Sequence, residues 1–146
     1  MIKRTTSDGH FSDCIRIRED FTCENPKCKK YIPEGDRYNA QCCHIVSRKF
    51  KSTRHSPNNC LMLCGNCHAD FTADPVMFTT WLQTYLGQDH LDKLQQEKHR
   101  IIKKVKNEEK DKAKHYLKEK KRMIKLRDDG LTGRIEFRGY YDDWIL

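Results

Sequence analysis

The stretch Asn59-Cys60-Leu61-Met62-Leu63-Cys64-Gly65-Asn66-Cys67-His68 decides how the chain folds. Cys60 to Leu63 form a short apolar run suited to a buried strand. That run passes into Cys64-Gly65-Asn66-Cys67, a C-x2-C turn whose Gly and Asn let the backbone bend tightly around a metal ion. A second pair stands upstream, Cys23-Glu24-Asn25-Pro26-Lys27-Cys28, with the same turn-forming chemistry over a C-x4-C spacing. Together Cys23, Cys28, Cys64 and Cys67 make a tetrahedral four-thiolate site. Such a set leaves no open coordination position, so the expected ion is a structural zinc that staples the fold.

Composition explains why a staple is needed. Of 146 residues, 36% are hydrophobic and 34% charged, a lean supply of core material that leaves part of the chain outside a packed core. No window approaches eighteen apolar residues, and Met1 to Asp8 lacks the apolar stretch of a signal peptide. The expectation is a cytoplasmic protein with no membrane span, where eight clustered cysteines hold metal rather than disulfides. Cys14 and Cys60 are assigned to core packing, while Cys42 and Cys43 are not settled by their spacing.

Working outward, Phe11, Cys14, Ile15 and Arg18 share one helical face, with Ser12 or Asp13 as caps, which predicts a short helix over Phe11 to Arg18. After the turn signal Pro33-Glu34-Gly35-Asp36, the alternation from Tyr38 to His44 reads as a strand that delivers His44 at its end. Ser47 to Asn58 reads as a basic surface loop carrying Arg48, Lys49, Lys51, Arg54 and His55. A helix follows the second cysteine pair, and Asp74-Pro75 starts another that Gly87 stops. The expected class is therefore α+β: two strands and a helix on one zinc, in a domain spanning residues 10 to 87.

From His90 to about Arg127 there is no Pro or Gly, and apolar residues from Leu91 to Ile124 recur at helical spacing. One helix of that length would extend roughly 55 Å. The stripe weakens between Lys106 and Lys112, so a kink or a break is the alternative to a straight rod. Residues 128 to 146 form an aromatic tail in which Arg134 to Tyr141 alternate like a strand, expected to fold back on the core because exposed apolar patches of size are uncommon.

The net charge of +8 is unevenly placed. Residues 1 to 87 carry +3, residues 88 to 127 carry +8, and residues 128 to 146 carry −3. A basic extension suggests nucleic acid or another polyanion, and equally suits a solvated helix rich in Lys.

Three polar residues are tied to the zinc scaffold by position: His44, Asn59 and His68. The run His44-Ile45, followed by Asn59-Cys60-Leu61-Met62-Leu63-Cys64-Gly65-Asn66-Cys67-His68, resembles the HNH endonuclease family with its ββα-metal motif. Over about Phe11 to Phe71 the resemblance implies a metal-dependent DNA endonuclease, with Cys23 and Cys28 as the first zinc pair. It implies His44 as general base and His68 beside a divalent cation, Mg²⁺ or Mn²⁺. Asn59 would either orient the His44 loop or contribute its oxygen to that cation. Cys43 stands where the family often has Asp or His as a ligand, and a Cys43 thiolate would favour a softer ion. Arg48, Lys49, Lys51 and Arg54 would steer phosphate. The order of motif, Trp81 to Gly87 helix and charged extension also looks like the Rap/NinG group of phage recombination nucleases, which implies nicking of branched DNA in the host cytoplasm.

Two other functions compete. The residue at Cys43 makes a non-catalytic, zinc-stapled DNA-binding module conceivable. An assembly protein built on the long helix ranks last, because the stripe lacks a sustained heptad with charged flanks, and a monomer is the expected state.

Overall fold

The computed structural model describes residues 2–141, and the class is α+β as expected. Helix α1 (Thr6–Arg18) leads to strand β1 (Ala40–His44), a single turn α2 (Lys51–Arg54), a 3-10 turn at Pro57–Asn59 and strand β2 (Cys60–Cys64). Helices α3 (Gly65–Ala73), α4 (Pro75–Tyr85), α5 (Gln88–Lys98) and α6 (Glu108–Asp128) follow. The strands form an antiparallel pair in which Ala40 faces Cys64, Cys42 faces Met62 and His44 faces Cys60. Because successive side chains alternate, Cys42 and His44 share one face of the ladder with Cys60, and Gln41 and Cys43 share the other.

Helix α1 begins five residues before the expected start at Phe11. Thr5 and Asp8 form a capping box: Thr5 Oγ1 accepts from the Asp8 amide at 3.3 Å, and Asp8 Oδ2 accepts from the Thr5 amide at 2.8 Å. This cap satisfies two otherwise orphaned groups and outcompetes Ser12 and Asp13, both of which lie inside the helix. Helix α1 is then buried almost all round. Its apolar residues Phe11, Cys14 and Ile15 lie in the core. Its polar ones are spent on internal bonds, with Arg16 Nε donating to the Ala40 carbonyl at 2.7 Å. Arg18, 1% exposed, donates to the carbonyls of Pro57 (2.7 Å) and Cys60 (2.8 Å) and to Glu24 (3.2 Å). A buried guanidinium is tolerated only when its donors are matched in this way. The scarcity of apolar residues is thus partly made up by a satisfied polar lattice around α1.

The expected rod from His90 to Arg127 is two helices. The chain leaves α5 at Lys98 and re-enters helix at Asn107, which adopts a left-handed conformation (φ 64°). Ile101 and Val105, counted in the apolar stripe, are 91% and 57% exposed. The break lies just before the weak region, and its cause is tertiary: α5 buries His90 and Leu94 against α2 and α4, whereas α6 buries Tyr116 and Met123 against α1. No straight rod could serve both sites. Helices α1 and α6 run parallel, since Ser7 meets Glu109, Cys14 meets Tyr116, and Ile17 meets Arg127.

Ile135, Phe137 and Tyr140 of the tail lie against the core, without the expected strand. Ile135 and Phe137 are buried with Phe11 and Tyr116 in the same apolar cluster, and Glu136 between them is exposed. The segment bonds to α1 through the Ile135 amide and the Arg18 carbonyl (3.2 Å), and to α6 through the Tyr140 amide and the Tyr116 hydroxyl (2.8 Å). It has alternation without a ladder because its neighbours are helices. Asp142 to Leu146, including Trp144, lie outside the described residues. Phe137→Ala should cost about 3–5 kcal/mol, read as a lowered urea midpoint at unchanged slope. Among the described residues no helix is long and apolar enough to cross a membrane.

Candidate functional site

The four expected cysteines converge. Cys23, Cys28, Cys64 and Cys67 place their sulfurs within 4.8 Å of one another, a group that could hold a metal ion such as zinc. The Cys28 and Cys64 sulfurs are 3.8 Å apart, which matches the edge, about 3.8 Å, of a tetrahedron with metal–sulfur bonds near 2.3 Å. Local geometry prepares the set. Cys64 ends β2 and caps α3, its sulfur accepting from the Cys67 amide at 3.4 Å, and Asn25 Nδ2 donates to the Cys67 sulfur at 3.4 Å. Such donors stabilise thiolates and orient ligands.

His44 ends β1 half-buried, with Nε2 2.9 Å from the Arg54 carbonyl. A carbonyl can only accept, so Nε2 carries the proton and Nδ1 keeps the lone pair. Burial pushes the imidazole down to about 4, against the opposing pull of that carbonyl, so the ring is neutral at physiological pH. The loop that supplies Arg54 is held by Asn59, which is fully buried. Its Oδ1 accepts from the Val46 amide (2.7 Å) and its Nδ2 donates to the carbonyls of Val46 (3.0 Å) and Thr53 (3.1 Å).

Asn59 thus ties the His44 loop together through both ends of its amide, and the first correction concerns its expected metal-ligand role: its oxygen is held on the Val46 amide in the core, closed off from solvent. Cys43 is a second correction. It is buried, its thiol pushed up to about 12 by desolvation, and it lies on the ladder face opposite His44. His68 lines a cleft of about 590 Å³ with Tyr38, Asn39, Gln41 and Thr72, and its Nδ1 is bonded to Gln41. Neither His44, Cys43 nor Asn59 reaches that cleft. The expected catalytic-metal trio of His68, Asn59 and Cys43 is therefore not gathered in one cleft, because Cys43 and Asn59 are buried while His68 lines the open cleft.

The basic loop lines a pocket. Arg48, Lys49, Lys51 and Arg54 line a pocket of about 290 Å³ with Thr5, His55 and, from α6, Glu108, Glu109 and Lys112. The pocket is linked to His44 through Arg54, whose carbonyl bonds the imidazole while its side chain lines the pocket. The four cations are not equivalent. Lys49 is exposed, Lys51 pairs with Glu108, and Arg54 is committed to Asp8 through Nε at 2.9 Å and to the Lys3 carbonyl at 3.0 Å.

Behind the pocket lies a buried cluster that sequence reading missed. Asp8 Oδ1 accepts from His55 Nε2 at 2.6 Å as well as from Arg54, and both Asp8 and His55 are buried. Burial alone would raise the Asp8 carboxyl, but hydrogen bonds from His55, Arg54 and Thr5 hold it far below the carboxylate range. Burial pushes His55 down despite Asp8. Thr5-x-x-Asp8 as a capping box was the legible signal; nothing in the sequence marks His55 as its partner.

Both shifts act in one direction. The unfolded chain takes up protons first, at His55 as pH falls through its ordinary 6.5 and at Asp8 through 3.8, so stability falls with acidification across that window. Asp8→Asn should cost about 3–5 kcal/mol at neutral pH, since it leaves buried partners unmatched, and should flatten the loss below pH 4. Denaturant melts of both proteins at several pH values measure it, and parallel stability curves for the two would refute the assignment.

No family model, curated protein or solved structure matches the chain.

Proposed function

We propose that the chain is a DNA endonuclease of the HNH type, with a structural zinc in the four-cysteine site and His44 as general base. The observation that carries this reading is the His44 imidazole itself. It is neutral, and Arg54 fixes its tautomer so that Nδ1 can accept a proton. Its Nε2 is bonded to the main chain of Arg54, whose side chain lines a cationic pocket. In this reading a phosphodiester sits against Arg48, Lys49 and Lys51, and Nδ1 takes a proton from water as the water oxygen bonds to phosphorus, while the P–O bond to the leaving oxygen breaks and that oxygen takes a proton from solvent. The pocket cations offset charge that develops on the phosphoryl oxygens. Asn59 acts as a positioning residue, holding the loop whose carbonyl sets the ring.

The resemblance implies a divalent ion, which would supply further charge neutralisation. Cys43, Asn59 and His68 do not fit a common site for it, so the steps above are assigned to the chain's own groups.

That same separation favours a second reading, a zinc-stapled DNA-binding module without catalysis. A nicking assay on supercoiled plasmid and a branched oligonucleotide, with Mg²⁺, Mn²⁺ or chelator, separates the two. Cleavage lost in His44→Ala supports the nuclease. Retained binding with no cleavage under any condition supports the module. Preferential cutting of the branched substrate supports the likeness to phage recombination nucleases.

Both readings share one prediction. If Arg48, Lys49 and Lys51 each meet a phosphate, the logarithm of the binding constant should fall with the logarithm of salt at a slope of about −3. Lys49→Ala should reduce that slope by about one. Fluorescence anisotropy at several salt concentrations measures it, and a salt-independent affinity would remove DNA as the ligand of this pocket.

A further inference from the structure

We propose that Cys42, His44 and Cys60 form a second binding site for a thiophilic divalent ion such as Zn²⁺, separate from the four-cysteine cluster. Their two sulfurs and a ring nitrogen lie within 4.8 Å of one another. In a tetrahedral Cys₂His set the donor atoms stand roughly 3.3–3.8 Å apart, so side-chain adjustment alone closes the set around an ion.

Four features of the structure favour an ion here over three packed side chains. First, the donors are held by a rigid element: His44 is paired directly with Cys60 across the ladder, and Cys42 precedes His44 by two residues on the same face. Second, His44 is hydrogen-bonded as a metal-bound imidazole is. Nε2–H is given to the Arg54 carbonyl, which leaves Nδ1 as the ligand atom. Third, the charges balance. Binding displaces one proton from each thiol to solvent, and two thiolates neutralise one divalent ion. Arg16 and Arg18, anchored on the carbonyls of Ala40 and Cys60, flank the pair. Fourth, Cys42 and His44 are only half-buried, so an ion can enter from their side although Cys60 is 2% exposed. Three protein ligands leave a fourth position for water, unlike the closed four-thiolate site.

The site shares His44 with the proposed nuclease, and one consequence rests on that reading. An ion on Nδ1 occupies the lone pair needed to accept a proton, so filling the second site switches cleavage off while the structural site stays filled.

Zinc stoichiometry of the full chain under reducing conditions, by native mass spectrometry during a zinc titration, tests the site directly. The wild type should take up two ions and Cys42→Ser one, with Cys60→Ser as a second variant. Cobalt added to the one-zinc protein should give a thiolate-to-cobalt absorption band that Cys42→Ser weakens. A single ion in the wild type, or a second ion that survives both substitutions, overturns the proposal. In the nicking assay the second equivalent of zinc should reduce wild-type cleavage at least tenfold, and cleavage unaffected by a bound second ion overturns the switch. An absence of nicking at every zinc level counts against the nuclease reading alone, because stoichiometry still decides the metal site.

Discussion

Cys64→Ser is expected to leave the chain largely unfolded at 25 °C, and a strong chelator should do the same to the wild type. The expected size follows from where Cys64 sits. It ends β2, caps α3, and stands 3.8 Å from Cys28, so one sulfur joins strand, helix and the upstream turn. Structural zinc in small modules is worth about 10–16 kcal/mol of apparent binding free energy at neutral pH, as much as the whole stability of an ordinary domain, about 5–15 kcal/mol. A two-stranded ladder is marginal alone in water, and this one leans on α1 on one side and on the four-cysteine site at its end. Far-ultraviolet circular dichroism during a thermal melt, with and without chelator, gives the answer. A melt that neither chelator nor Cys64→Ser moves would mean that the cysteines are only packed.

His44→Ala should reduce DNA cleavage by about 10²- to 10⁴-fold, the usual contribution of a positioned base, while DNA affinity changes less than twofold. The contrast is the informative part. Affinity rests on Arg48, Lys49 and Lys51, which His44 does not hold, whereas the proton goes to His44 Nδ1 in the proposed geometry. Asn59→Ala should weaken cleavage through a different route, by releasing Val46 and Thr53 and with them the loop that bears Arg54. Because three buried hydrogen bonds go with it, that variant should also melt earlier, whereas His44→Ala should melt close to wild type. Equal losses of stability in the two would remove the distinction between base and positioning residue.

Much of this arrangement was legible because it is local. The cysteine pairs, the strand leading to His44, the apolar run after Asn59 and the Asp74-Pro75 helix start each depend on a few neighbouring residues. The structure places β1, β2 and α4 close to those positions. What escaped depends on partners far away in sequence. The helical stripe continues through Ile101 and Val105, and only the separate docking of α5 and α6 breaks it. The tail alternates as a strand does, yet lies against helices. Arg54 reads as one of four surface cations, and its commitment to Asp8 is set by a contact forty-six residues apart. The division between His44 and His68 was within reach, since Gln41 and Cys43 alternate with Cys42 and His44. The register that sets Cys60 opposite His44 was not.

The parallel clasp of α1 by α6 bears on how the chain is made. Cys14 and Tyr116 meet across 102 positions of sequence, so the apolar side of the first helix finds this cover only after α6 has been synthesised. Contacts of such long range make folding slow, and the waiting helix, bearing Phe11 and Ile15, is surface on which nascent chains aggregate. The zinc hairpin closes over a much shorter span and can form first, as a nucleus that holds the chain until α6 arrives. Emergence of α6 from the ribosome, rather than metal capture, is then the step that completes the core.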